Sequence, residues 1–133
     1  MKNTFSVSAG MAAMILSTAA LADPREDLLA QYAAAAKSAG FSAARGQTLH
    51  AQNFSGGKAD TPSCTSCHGK DTRSAGRTRT GKAIEPLALS VTPTRYTDPA
   101  KVEKWFKRNC TEVLGRECTP QEKGDWLSFV LSQ

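Results

Sequence analysis

Cys64-Thr65-Ser66-Cys67-His68 decides how the rest of the chain is read. Two thiols three residues apart, with an imidazole directly after the second, fit on one helical turn. There the thiols reach the two vinyl groups of a haem while the His68 ring reaches the iron from the same side. Two other chemistries use paired cysteines. A thioredoxin-like redox pair needs a strand–helix–strand setting, and no segment here has the alternating β-branched pattern of a strand. A zinc site would have to recruit Cys110 and Cys118, and the seven residues between them are not a usual knuckle spacing. The pattern therefore implies one covalent haem c, attached through Cys64 and Cys67 and ligated by His68.

Upstream, Lys2, an apolar run from Phe5 to Ala20 and then Ala20-Leu21-Ala22 have the layout of a secretory signal peptide over residues 1–22. The run is interrupted by Ser6, Ser8, Ser17 and Thr18 and is shorter than the ~20 residues of a bilayer span, so no membrane span is expected in the mature protein. The remaining 23–133 have the length of one domain. Export to the periplasm also fits the cysteines, because an oxidising compartment permits disulfides.

Helix signals run through the mature chain. Asp23-Pro24 with acids following opens a helix over about 24–38 that ends at Gly40, and Ser42 caps a second one to about Gln52. Residues 53–62, with Gly56-Gly57, read as a loop, and residues 69–97 as a long aperiodic one that a haem could pack down. Asp98-Pro99 starts a helix through about Asn109, with Val102, Trp105, Phe106 and Asn109 on one face. Thr119-Pro120-Gln121-Glu122 is a capping box opening a last helix with Trp126, Phe129 and Val130 on one side. The expected class is an all-α single domain with covalently bound haem.

The sixth iron position is constrained by counting. All three methionines, Met1, Met11 and Met14, lie in the leader, so the mature chain cannot form a His/Met pair. His50, a lysine, an amide side chain or an open position remain. His50 lies on the short helix expected to pack against the last one, where a helix-packing histidine is the preferred reading. Lys101, Lys104 and Lys107 fall mostly off the apolar stripe and read as solvated. Asn109 extends that stripe by one turn. By periodicity alone, an iron ligand and an ordinary helix C-terminal asparagine are even readings. The cysteines tip the balance, because Cys110 and Cys118 could close a loop that pins the backbone beside Asn109.

Without the leader the chain carries 16 basic and 12 acidic side chains. Two propionates would bring the net charge to about +2, which is mildly basic. The densest basic stretch, Arg73, Arg77, Arg79 and Lys82, has no interleaved aromatics, which argues against a single-strand nucleic-acid groove. Those residues are candidates for propionate contacts, for a docking patch facing an acidic redox partner, or for a solvated loop.

The sequence closely resembles the SHP-type cytochromes c. The likeness spans nearly the whole mature chain and is most specific at Gly56-Gly57-Lys58, Asp60-Thr61-Pro62-Ser63-Cys64 through Gly69, Thr80-Gly81-Lys82 and Glu85-Pro86-Leu87-Ala88. It continues through residues 101–105, Arg108-Asn109-Cys110 and Gly115-Arg116-Glu117-Cys118-Thr119-Pro120. His50 stands where an apolar residue would be expected. The resemblance implies a class I cytochrome c-like fold, His68 and Asn109 as ferric axial ligands, and a Cys110–Cys118 disulfide. It further implies that asparagine leaves the iron on reduction, opening a site for small diatomic ligands such as O2, NO or CO. A di-haem cytochrome c would be the electron donor. Two other functions stay open: a simple electron carrier, and a weak haem peroxidase or reductase of a small oxidant. No acid/base pair beyond the haem neighbourhood supports the last of these.

Overall fold

Four side chains set the helix starts for one shared reason. The first N–H groups of a helix have no intrahelical acceptor, and a short oxygen-bearing side chain just before the helix supplies one. Asp23 accepts from Arg25 N at 3.0 Å, Ser42 from Arg45 N at 3.2 Å, Asp98 from Lys101 N at 3.1 Å and Thr119 from Glu122 N at 3.2 Å. Three of the four are followed by proline at the first helical turn.

The computed structural model describes residues 22–133, so all but Ala22 of the expected signal peptide lies outside the described residues. It contains α1 (Pro24–Ala36), α2 (Ala43–Ala51), α3 (Thr65–His68), α4 (Pro99–Leu114) and α5 (Pro120–Leu131). Two short antiparallel strands, β1 (Gly76–Arg77) and β2 (Ala83–Ile84), pair Gly76 with Ile84. The class is all-α as expected. The hairpin is too short to carry an alternating pattern; it is closed by a turn in which Thr78 N donates to Lys82 O and Gly81 N to Thr78 O, both at 2.9 Å. None of the described helices is long and apolar enough to cross a membrane.

Two helix ends differ from the sequence expectation. α1 stops at Ala36, because Lys37 turns left-handed (φ 51°) and its N–H donates to the carbonyls of Ala33 and Ala34. α4 runs five residues past Asn109 and ends at Gly115 (φ 75°), because Val113 and Leu114 continue its buried stripe beyond Val102, Phe106 and Cys110. Asn109 is therefore a helix-interior residue, and the reading of it as an ordinary C-terminal asparagine falls away.

The core joins Leu28 and Tyr32 of α1 to that stripe and to Leu127, Phe129 and Val130 of α5. α5 packs against both α1 and α2. At its crossing with α2 the backbones nearly touch: a Cβ on Gly46 would lie 2.1 Å from the Asp125 carbonyl oxygen and 2.8 Å from Phe129 Cβ. Gly46→Ala should therefore force the helices apart, lowering stability by about 1–3 kcal/mol, as overpacking does. Urea unfolding monitored by circular dichroism checks this.

The Asp125 side chain locks the same crossing. Its carboxylate accepts from Ser42 N at 2.7 Å, Arg45 Nε and Nη2 at 2.8 Å each, and Gln121 Nε2 at 3.1 Å. Burial raises the pKa of this carboxyl, but the bonds from Arg45, Ser42 and Gln121 outweigh it and leave the group below its usual value of 3.8. A carboxyl with a depressed folded pKa contributes stability above its unfolded pKa and loses that contribution as pH falls toward the folded one. Stability should thus decline from about pH 4 downward, and the decline should be shallower in Asp125→Asn. Thermal melts across that range would show it.

The segment 69–97 is held largely by the chain itself. Leu87 N and Ala88 N both donate to the buried Thr72's carbonyl at 2.9 Å, and Leu89 N donates to Val130 O at 3.2 Å. Arg25 of α1 donates from Nε to Arg95 O at 2.9 Å and from Nη2 to Pro93 O.

Candidate functional site

α3 is a single turn. Cys67 N and His68 N both donate to Cys64 O, at 3.3 and 3.1 Å, so Cys64, Cys67 and His68 are fixed within that one turn. Gly69 (φ 71°) ends it. The strand β1 presses on its back, where a Cβ on Gly76 would come within 2.3 Å of Cys67 O and 3.0 Å of His68 Cα. Only glycine lets the hairpin close so tightly on the motif.

The chemistry of the turn separates the possible uses of its thiols. Burial pushes the Cys64 thiol up to about 11 and also raises Cys67, to which the nearby Glu112 carboxylate adds. Redox-exchanging thiols need the opposite shift, toward thiolate. The Cys110 and Cys118 sulfurs are bonded to each other at 1.97 Å, which removes them from any zinc set. Among the described residues no group of three or more His, Cys, Asp or Glu could hold a metal ion. His68 is pushed down to about 4, by burial first and then by its neighbours His50 and Arg95, so its imidazole is neutral and has a lone pair to give.

His50 sits behind His68, 2% exposed, with ring centroids 6.4 Å apart. Its Nε2 lies 3.0 Å from Gly69 O, and its Nδ1 accepts from Trp126 Nε1 at 3.3 Å. That pattern requires the neutral tautomer with its proton on Nε2, and burial, which lowers the His50 pKa, favours it. Both ring nitrogens are used inside the protein, which accords with a packing rather than a ligating histidine. Trp126 in turn meets Phe106 of α4 edge-on at 5.5 Å and Tyr96 at 6.2 Å. A continuous aromatic wall therefore runs from α4 through α5 to the His68 turn. Sequence reasoning placed His50 on the right helix but missed its partners, and nothing local marks a contact between residues 76 apart.

On α4, Trp105, Asn109 and Glu112 form a stripe beside the buried one. Glu112 fixes its direction: its carbonyl accepts from Lys58 N at 2.8 Å, and its carboxylate lies 3.7 Å from Lys58 Nζ and accepts from Thr61 Oγ1 at 3.4 Å. Those partners belong to the loop leading into Cys64. Asn109, half-buried, thus shares its face with a residue tied to the motif's own approach. Trp105 is 45% exposed, with the Arg108 guanidinium over its ring at 5.4 Å, so it is more open than the sequence stripe suggested. Lys101, Lys104 and Lys107 are exposed, as expected, and so are Arg73, Arg77, Arg79 and Lys82.

Residues 36–130 match a family model described as a domain of unknown function (DUF1924). Cytochrome c-type protein SHP of Cereibacter sphaeroides is 57% identical over 106 residues, which cover 80% of this chain and 81% of that protein. The chain belongs to the SHP family of c-type cytochromes. The structure of oxidised SHP, an oxygen-binding cytochrome c, matches this SHP-type cytochrome with a TM-score of 0.79 at 54% identity, covering 82% of this chain and 96% of that one. Oxidised cytochrome c'' from Methylophilus methylotrophus gives 0.73 at 32% identity, covering 83% and 94%. The cofactor of this SHP-type cytochrome is a single covalent haem c. Two half-buried thiols and a neutral imidazole on one turn are a donor set that suits it.

Proposed function

We propose that this SHP-type cytochrome is a periplasmic redox-gated ligand-binding protein, in which Asn109 closes the iron's sixth position in the ferric state and releases it on reduction. The observation that carries the reading is the placement of Asn109: interior to α4, half-buried, on the stripe that Glu112 ties to the Cys64 loop, and next to the pinned Cys110. Cys64 and Cys67 make the thioether attachments and His68 is the proximal ligand. Bound haem supplies an iron that changes oxidation state and can take a small diatomic ligand.

The chain's own residues set the switch. An amide oxygen is a hard, weak donor, matched better to a ferric than to a ferrous centre. Asn109 is held at the site by the helix and by Cys110 rather than by a strong bond, so a change in donor affinity is enough to move it between bound and free. Phe106 and Trp126, packed edge-on at 5.5 Å, belong to the aromatic wall on the His68 side and help to keep that side dry. Export follows cleavage near Asp23, leaving 23–133 as the mature domain. Electrons come from another redox protein, a di-haem cytochrome c being the expected donor, and the gated ligand is O2, NO or a similar molecule, as the oxygen-binding relative suggests.

The test is a set of absorption spectra of the purified holoprotein: ferric, dithionite-reduced, then with carbon monoxide. Low-spin ferric protein that becomes high-spin on reduction and binds carbon monoxide at once is the expected result. Low-spin spectra in both states, indifferent to carbon monoxide, would leave a plain electron carrier.

A further inference from the structure

A chain of bonds and packed rings leads from the His68 turn to the far side of the core. The carbonyl of Gly69, the residue after His68, lies 3.0 Å from His50 Nε2, and His50 Nδ1 accepts from Trp126 Nε1 at 3.3 Å. Two hydrogen bonds thus join the turn to an indole, which with the tyrosine phenol is among the most easily oxidised side chains. Beyond Trp126 the rings continue. Phe106 meets it edge-on at 5.5 Å, and Tyr32 meets Phe106 edge-on at 6.1 Å. Electron tunnelling weakens steeply across empty space and far less through bonds and packed rings, so this chain can carry an electron.

Tyr32 has what a phenol needs to end such a chain. An oxidised phenol is a strong acid, and it keeps its hole only if the proton leaves with the electron. Tyr32 is 6% exposed, and its hydroxyl donates to Glu103 Oε1. The other oxygen of that carboxylate accepts from Lys123 Nζ at 2.6 Å. Burial raises the Glu103 pKa, but the bonds from Lys123 and Tyr32 outweigh it and leave the carboxyl ionised, able to take a proton. The Lys123 ammonium, 5.8 Å from the Tyr32 ring centre, opposes a positive charge on the ring, so electron and proton must leave together. Tyr96 is the other tyrosine of the chain and meets Trp126 directly, at 6.2 Å. Its hydroxyl donates to the Leu87 carbonyl, which is no base, so it lacks the proton acceptor.

We propose that Tyr32 is a redox-active residue: when the reduced protein meets hydrogen peroxide, it gives an electron through Trp126 to the haem centre and its proton to Glu103. The inference rests on His68 as the iron ligand and on the site that opens on reduction. Peroxide takes up two electrons and two protons, its O–O bond breaks and two waters form. One electron comes from ferrous iron, which ends ferric. The other comes from Tyr32, whose O–H bond breaks to leave a neutral phenoxyl radical. The Tyr32 proton moves to the Glu103 carboxylate, and the two protons that complete the waters come from solvent. The second oxidising equivalent is thereby drawn away from the porphyrin into the core.

The test uses reduced holoprotein, freed of dithionite, mixed rapidly with a slight excess of hydrogen peroxide and frozen for electron paramagnetic resonance. An organic radical is expected, with a signal that narrows in protein made with ring-deuterated tyrosine. The signal should persist in Tyr96→Phe, be lost in Tyr32→Phe and fall in Glu103→Gln, whose amide cannot take the proton. A contact that only holds α1, α4 and α5 together would alter the melting of these variants and yield no radical. A signal that is absent from wild type, indifferent to the tyrosine label, lost in Tyr96→Phe or kept in Tyr32→Phe overturns the inference. The first three of these outcomes need no variant at Tyr32 or Glu103 to fold. Carbon monoxide separates this step from the function it rests on. Reduced protein that binds it yet forms no tyrosyl radical removes the role of Tyr32 alone, whereas protein that excludes it removes the open site and this step together.

Discussion

Asn109→Ala should convert the ferric protein from low-spin to an open or water-bound, high-spin form, while the ferrous spectrum stays as in wild type. The asymmetry between the two states makes the result specific. If Asn109 binds only the ferric centre, its removal changes only that state, whereas general damage to the haem surroundings would disturb both. The fold should survive the substitution. Asn109 is half-buried and inside α4, and among the described residues no side-chain hydrogen bond depends on it. Alanine there is favoured over asparagine in a helix by roughly 0.5 kcal/mol, so the thermal midpoint should hold or rise. Absorption spectra of both oxidation states, with a melt as control, check the outcome. A ferric spectrum identical to wild type would remove Asn109 from the iron.

The Cys110→Ala/Cys118→Ala double variant should lose about 2–3 kcal/mol, the loop-closure contribution for a separation of eight residues. For a domain of this size that is a fall in Tm of about 10 °C or more. The bond staples the interior of α4 to the residue before the Thr119 cap of α5, so its loss loosens both helices where they face the core. Since Asn109 precedes Cys110, the variant should also show a mixed ferric spin state at temperatures well below unfolding. Unreduced wild-type protein should weigh two hydrogens less than its reduced form, which establishes the bond before the variant is read. A double variant with wild-type Tm and spin state would separate the disulfide from both stability and ligation.

The parts of this protein legible in the sequence are those fixed by neighbours within one helical turn. Asp23, Ser42, Asp98 and Thr119 each cap a helix where the sequence places it, because a cap acts on N–H groups two or three residues away. The haem motif is legible for the same reason, and the absence of methionine after Met14 is a matter of counting. What the sequence left open depended on burial by distant residues. α4 extends beyond Asn109 because Val113 and Leu114 meet a core built from α1 and α5, which changes Asn109 from a terminal residue into an interior one.

His50 becomes a buried hinge between Gly69 and Trp126, and Gly46 becomes the crossing point of α2 and α5. Each role involves a partner some 20 to 80 positions away. Arg95 is one arginine among several until the fold seals its Nε from water. Caps, turns and attachment motifs are local chemistry and so are determined by sequence alone. Which polar group is buried, and against what, is decided only by the tertiary structure, because desolvation belongs to the assembled core and not to any segment of it.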